Sequence, residues 1–264
     1  MRGVILAGGK GTRLFPLTAV INKHLAPVGS LPMIEYPLHT LTKMGIKEIS
    51  VVTGGEHFSD IARYLGQLHP DINFSFHYQP EAGGIAQALA LVKHVVGNEM
   101  IVVILGDNIF EDDFLQAAKN FENSSFGAMF FLKRVLNPGR FGVAEIDGVK
   151  IIGIEEKPKQ PKTDLAVTGI YFFDSTVFDK ISKLKPSWRG EYEITDANNE
   201  YIAEGKAGYY LVNGFWSDAG TMDSRKSCEE FVKKGLESNV LRSLSANVEI
   251  GKMLIESFGA NFKP

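Results

Sequence analysis

The run from Met100 to Leu105 contains no polar residue, and it limits the folds open to this chain more than any other stretch does. A strand with one wet face alternates apolar and polar side chains. A strand with no polar position has to be covered on both faces, as in a parallel sheet lying between helices. Val4 to Leu6 is a shorter run of the same kind, and Ile46 to Thr53 reads as a second strand. Ile72, Phe74, Phe76 and Tyr78 alternate with Asn73, Ser75 and His77, which predicts another. Helical patterns lie between these strands. Ile34, Leu38 and Leu41 share one face and stop at Gly45, with Pro32 suiting the first turn and Pro37 predicting a distorted start. Asp60 to Leu65 is a short helix, and Gly83 opens one running to about Val96. Strand and helix in alternation give an α/β fold, a Rossmann-like three-layer α/β/α sandwich with a mostly parallel central sheet. Ligands of such sheets bind at the carboxyl ends of the strands.

The second half has a different texture. Val143 to Ile152, broken by Asp147-Gly148, is a hairpin signal. Val167 to Phe173 is a strand, and Asp174-Ser175-Thr176 caps a helix through about Leu184. Thr195 to Glu204 reads as helical with its stop at Gly205. Tyr209 to Val212 and Gly214 to Trp216 are strand-like, and Thr221 caps a helix to Lys234. No linker marks a boundary, so residues 1–264 read as one domain. It divides into a first half, 1–125, a second half, 126–235, and a tail, 236–264, helical at first.

Composition excludes several function classes. A net charge of −3 spread over 264 residues, with no basic stripe, argues against a nucleic-acid partner. The six-residue run at Met100 is the longest apolar one, far short of a membrane span, and the first residues do not resemble a secretory leader. A single cysteine, Cys228, fits a reducing compartment and reads as packing. The expected location is therefore cytoplasmic.

The chemistry points to polyphosphate. Gly8, Gly9 and Gly11 follow the first strand directly, then Thr12 and Arg13, with Lys23 further on. Backbone amides lacking flanking Cβ atoms turn sharply and crowd around an anion. Arg13 adds a planar charged fork and Lys23 a point charge. A Walker A loop is excluded because Lys10 precedes Gly11 and Thr12, and a dinucleotide fingerprint fails because Leu14 stands where its third glycine belongs. Asp107 follows the most buried strand and Asp218 precedes Ala219-Gly220. Both are candidate metal ligands, and both fit a plain turn as well. Spacing alone does not bring them together.

The stretches Leu6 to Arg13, Asn22 to Val28, Gln79 to Ala88, Leu105 to Asn108, Arg140 to Val143, Glu155 to Pro158, Ala166 to Gly169, Lys185 to Asp196 and Trp216 to Thr221 occur in one order. That order resembles the sugar-1-phosphate nucleotidyltransferases, the thymidylyltransferases in particular. The resemblance implies the nucleotidyltransferase type of α/β fold, and it implies transfer of a thymidylyl group from dTTP to a sugar 1-phosphate, glucose 1-phosphate by default. In that reading Gly8, Gly9, Gly11 and Thr12 wrap the triphosphate, and Arg13 meets its β- and γ-phosphates. Lys23 lies near the reacting centre. Gln79 and Gly84 hold the pyrimidine, and Asp107 and Asp218 hold Mg²⁺. Gly142, Glu156, Lys157 and Val167 form the sugar-phosphate pocket, so that 1–125 is the nucleotide-binding half and 126–235 the sugar-phosphate-binding half. Arg13, Lys23, Asp107 and Lys157 carry the catalysis. From the residues alone, Gln79 is also a plain strand end, Glu155 to Lys157 a solvated rim, and Arg140 beside Phe141 structural.

His24 stands where many thymidylyltransferases have glutamine, and Gly83 where aspartate is common. UTP therefore stays a rival to dTTP, giving UDP-glucose. The chain is shorter at its C-terminus than the family's long form, which uses the extension for subunit packing and a regulatory nucleotide site. Allostery is accordingly not expected, and the homo-oligomeric state is left open. A non-catalytic nucleotide-sugar sensor on the same fold is disfavoured because both metal-ligand candidates are present. A nicotinamide oxidoreductase is disfavoured by Val52-Thr53-Gly54, which has no acidic residue closing the second strand.

Overall fold

The computed structural model describes residues 1–245 apart from Lys10, Glu56 and His57. Lys10 of the glycine loop and the tail beyond residue 245 thus lie outside the described residues. The first strand, β1 (Arg2–Ala7), leads into the glycine loop. A small hairpin, β2 (Pro27–Val28) and β3 (Leu31–Pro32), precedes α1 (Glu35–Lys43). Pro32 thus belongs to the hairpin and not to a helix start. Pro37 is the third residue of α1, where its missing N–H would have no partner within the helix anyway. Then come β4 (Glu48–Thr53), α2 (Phe58–Leu68) and β5 (Asn73–Tyr78). The helix expected over 83–96 is two pieces, α3 (Ile85–Ala90) and α4 (Lys93–Val96). The fully apolar run forms β6 (Ile101–Leu105).

The second half continues with β7 (Asn108–Phe110), α5 (Leu115–Glu122) and β8 (Ala128–Arg134). The hairpin strands are β9 (Gly142–Asp147) and β10 (Lys150–Glu156), joined through Gly148 at φ 55°. β11 (Leu165–Phe173), α6 (Val177–Ile181), α7 (Ile194–Ala203), β12 (Ala207–Leu211) and β13 (Trp216–Asp218) follow. α8 (Met222–Val232) starts at a capping box on Thr221, and α9 (Leu236–Ser245) ends the described chain.

One nine-stranded sheet runs through both halves. Its order is β10-β9-β11-β6-β1-β4-β5, with β8 beside β11 and β12 beside β8. β1 lies parallel between β4 and β6, and β5 extends that parallel set. β11 then runs antiparallel to β6, with Ile170 opposite Ile104. Successive residues of the central strands serve opposite faces. Val4, Leu6, Ile101 and Val103 pack with α3, α6 and α7 through Ala86, Leu89, Phe178 and Tyr201. Ile5, Ala7, Val102 and Ile104 pack with α1, α2 and α5 through Leu38, Leu41, Ile61 and Phe121. This is the two-sided burial that the apolar runs require. A third core gathers Leu14, Val28, Met33, Tyr36, Ile109, Cys228 and Val232, pinning the end of the glycine loop to α8 and to β7. Cys228 is fully buried and burial pushes its thiol up to about 12, in keeping with a packing role. Among the described residues no helix is long and apolar enough to cross a membrane.

Candidate active site

The cleft opens at the carboxyl ends of β1, β4 and β6. Gly9 and Gly11 have φ of 94° and 64°, the left-handed region that side chains disfavour. At Gly11 a Cβ would also lie 2.7 Å from Thr18 Cγ2. Thr18 in turn donates to the Gly11 carbonyl at 2.9 Å, so the loop is closed onto its own continuation. Thr12 begins a 3-10 turn, Thr12–Leu14, in which buried Leu14 is the anchor and Arg13 stays exposed.

Gly8, Gly9, Lys23, Gln79, Gly84 and Asp107 line a connected region of about 220 Å³, with a neighbouring space of about 550 Å³ reaching Gly54 and Pro80. Arg13, Asp107, Gly142, Glu156, Lys157, Val167 and Asp218 line a second cavity of about 280 Å³. Asp107 stands at the junction of the two. Of the residues singled out in the sequence, Gly11 and Thr12 line neither cavity and shape the loop instead.

The two aspartates meet through a ladder that joins distant parts of the chain. β13 pairs antiparallel with β7, placing Asp218 opposite Asn108, and the Ala219 amide donates to the Asp107 carbonyl at 2.7 Å. A methyl group on Gly220 would lie 3.1 Å from Asp218 Oδ1, 3.2 Å from Asp107 Oδ2 and 3.4 Å from Arg13 Nη2. Two carboxylates and a guanidinium therefore face one small volume.

Asp107 is held on both oxygens. Lys23 Nζ donates to Oδ2 at 2.7 Å and Asn108 Nδ2 to Oδ1 at 2.9 Å. Burial acts to raise this carboxyl, but Lys23, His24 and Asn108 together hold it well below the usual carboxylate range. Asn108 is itself locked, since its Oδ1 accepts from Trp216 Nε1 at 2.7 Å and from the Gly169 amide at 3.1 Å.

On the other side of the cleft, Glu156 Oε2 accepts from Thr195 Oγ1 at 2.7 Å, and Gly142 leaves room for that carboxylate, 3.3 Å from where its Cβ would be. Lys157 follows with φ 46°, the one non-glycine residue in the left-handed region among those described. Such a conformation costs about 1–3 kcal/mol and collects at functional sites.

The nucleotidyl transferase family model matches residues 2–235. The chain belongs to that family. Curated relatives include the glucose-1-phosphate thymidylyltransferases of Neisseria meningitidis and Mycolicibacterium smegmatis. They are 42% and 43% identical over 88% of this chain, which corresponds to 83% and 82% of their own lengths. A crystal structure described as a glucose-1-phosphate thymidylyltransferase from Bacillus anthracis, in complex with sucrose, is 50% identical. It superposes with a TM-score of 0.84 over 88% of this chain and 94% of that one. A UDP-glucose pyrophosphorylase complexed with UDP-glucose reaches a TM-score of 0.80 at 22% identity, covering 88% and 98%, and shares the fold.

Several cleft residues of this nucleotidyl transferase escape a reading of its sequence. Arg140 does more than the structural part expected of it. It lies over the Phe141 ring at 5.5 Å, and it also reaches to 3.7 Å from Asp218 Oδ2. Arg189 lines the cavity of Glu156 and Lys157, gripped by Glu193 at 2.7 and 2.8 Å and lying 3.7 Å from Glu156. Glu191 borders both cavities. The long matched stretch from Lys185 to Asp196 pointed to this segment without singling out a residue in it.

His24 is fully enclosed, its ring 3.1 Å from Asn22 Oδ1. Burial first, then repulsion from Lys23, lowers its pKa to about 3. A depressed histidine is neutral in the native state and protonates in the unfolded chain below about pH 6.5. Its contribution to stability is complete above that pH and falls away as pH drops toward 3. Urea titrations of wild type and His24→Gln at pH 7.5 and 5 should show wild type losing about 2 kcal/mol more than the variant over that interval. Equal losses would mean that His24 is not held neutral.

Proposed function

We propose that the chain transfers a thymidylyl group from dTTP to α-D-glucose 1-phosphate, giving dTDP-glucose and pyrophosphate. The observation that carries this reading is the convergence of Asp107, Asp218 and Arg13 around Gly220, between the space lined by the glycine loop and Gln79 and the space lined by Glu156 and Lys157. Relatives named for this reaction, at more than 40% identity over most of the chain, support it.

A phosphate oxygen of the sugar 1-phosphate forms a bond to the α-phosphorus, and the bond from that phosphorus to the bridging oxygen of the departing pyrophosphate breaks. The nucleophile is already an anion, so no residue has to remove a proton. The barrier lies in bringing two anions together and in the charge gathered on the leaving group. Arg13 and Lys23 answer the charge of the triphosphate, and Lys157 that of the sugar phosphate. Glu156, oriented by Thr195, accepts from sugar hydroxyls. The two carboxylates offer the oxygen donors Mg²⁺ favours. When bound, Mg²⁺ would neutralise phosphate charge, held by Asp107 and Asp218. A sensor that only bound a nucleotide sugar would need no such pairing of acids and bases.

The test is pyrophosphate release from glucose 1-phosphate with dTTP, UTP, CTP, ATP and GTP, each with Mg²⁺. Strongest release with dTTP is expected. Release strongest with UTP would move the reaction to UDP-glucose, and silence with every nucleotide and every sugar 1-phosphate would leave a binding function.

A further inference from the structure

Gly83 stands where the resembling enzymes often carry aspartate, and the structure gives that difference a consequence. Gln87 folds back from α3 against Gly83, so closely that a Cβ at residue 83 would lie 2.4 to 2.6 Å from the Gln87 amide atoms. Only glycine leaves room for this packing. The Gly83 backbone amide donates to Gln87 Oε1 at 3.0 Å. A backbone N–H can only donate, so the atom it faces has to be the Gln87 oxygen. The same oxygen lies 2.9 Å from the Gln79 amide, whose facing atom must therefore be the donor Nε2. That fixes the other end. Gln79 Oε1 is turned away from Gln87, toward Gly8, where it lies 2.5 Å from a Cβ position that only glycine leaves open. Gln79 is buried and borders both nucleotide-side spaces.

We infer that Gln87 is a positioning residue for base choice: with Gly83 it sets the polarity of the Gln79 amide, so that an acceptor faces the base. The inference rests on the proposed nucleotide donor and refines it. Thymine and uracil carry a hydrogen on N3 and present a donor there. Cytosine presents a lone pair at N3 and an amino group at C4, the reverse pattern. An amide free to rotate serves either base by flipping. An amide held by Gln87 pairs with one pattern and opposes the other, and a mismatch that leaves a buried polar atom unpaired is what generates selectivity. The same geometry does not separate thymine from uracil, because both present N3–H.

Three variants test this, each assayed for kcat/KM with dTTP, UTP and CTP. Gln87→Leu removes the anchor, and Gly83→Ala displaces it. Gln87→Glu keeps an oxygen that accepts from both the Gly83 amide and Gln79 Nε2. The dTTP-to-CTP ratio is the readout, because it does not depend on how much of a preparation is folded. Gln87→Leu and Gly83→Ala should each lower that ratio by about tenfold or more, the scale of one buried hydrogen bond, while Gln87→Glu keeps it within about threefold of wild type. A ratio unchanged in Gln87→Leu overturns the inference. So does a ratio that falls as far in Gln87→Glu as in Gln87→Leu, since packing and not polarity would then be responsible. A wild type that prefers UTP to dTTP would correct the donor nucleotide and still support the polarity, whereas a wild type that prefers CTP would overturn both readings.

Discussion

Arg13→Ala lowers turnover by about two to three orders of magnitude, the usual loss when one preorganised donor aimed at developing charge is removed. The side chain is exposed, and Leu14, which anchors the loop, is untouched. The melting temperature should therefore hardly change. Exposure here reflects an open cleft: the guanidinium end lies beside Asp107 and Asp218 at Gly220, where the phosphates would enter. Arg13→Lys should recover only part of the loss, because a lysine supplies charge without the planar fork that meets two oxygens at once. Initial rates of pyrophosphate release, measured with melting curves on the same preparations, decide the matter. A near-normal rate in Arg13→Ala would remove this residue from the reacting centre.

The central strands were legible because burial leaves a mark on every position. β6 has no polar position and β1 none beyond Arg2, and their apolar side chains do divide between two cores. Helix ends with a chemical signal were legible too. Gly205, with φ 67°, ends the turn after α7, and Thr221 caps α8. The break between α3 and α4 was not, because it falls at Leu91-Val92 with neither glycine nor proline to announce it. β8 has no clear signal in the sequence, since a short apolar run does not distinguish strand from helix by period alone. The reversal to antiparallel pairing at β11 leaves no local trace either, because it depends on which strands become neighbours.

The site divides in the same way. Glycines and charged residues in the loop stand next to one another in the chain, so their common purpose is visible. The meeting of Asp107 with Asp218 is carried by two three-residue strands far apart in sequence: β7 has no signal of its own, and the strand-like stretch Gly214 to Trp216 reaches only the first residue of β13. The left-handed turn at Lys157 has no glycine to signal it. In the sequence Arg140 reads as structural beside Phe141, and its approach to Asp218 is again long-range.

Asp107→Ala abolishes detectable turnover and also destabilises the fold, by about 3 kcal/mol, the lower end of what breaking an enclosed ion pair costs. Lys23 and Asp107 are 2.7 Å apart, with side chains only 12% and 14% exposed. Removing the aspartate leaves the ammonium without its partner at a largely enclosed position. Lys23→Met strands the carboxylate in the same way, although Asn108 still donates to its other oxygen, so its stability cost should be the smaller of the two. Replacing both, Lys23→Met with Asp107→Ala, removes both uncompensated charges together, and its stability should return to within about 1 kcal/mol of wild type. Activity should not return at all. Denaturant unfolding of the four proteins in the cycle separates the two terms. A double variant as unstable as Asp107→Ala would make the pair a structural requirement of the fold. Recovery of stability without turnover would mean that the pair is maintained for the reaction, with Lys23 free to leave Asp107 when a phosphate oxygen offers it a second anion.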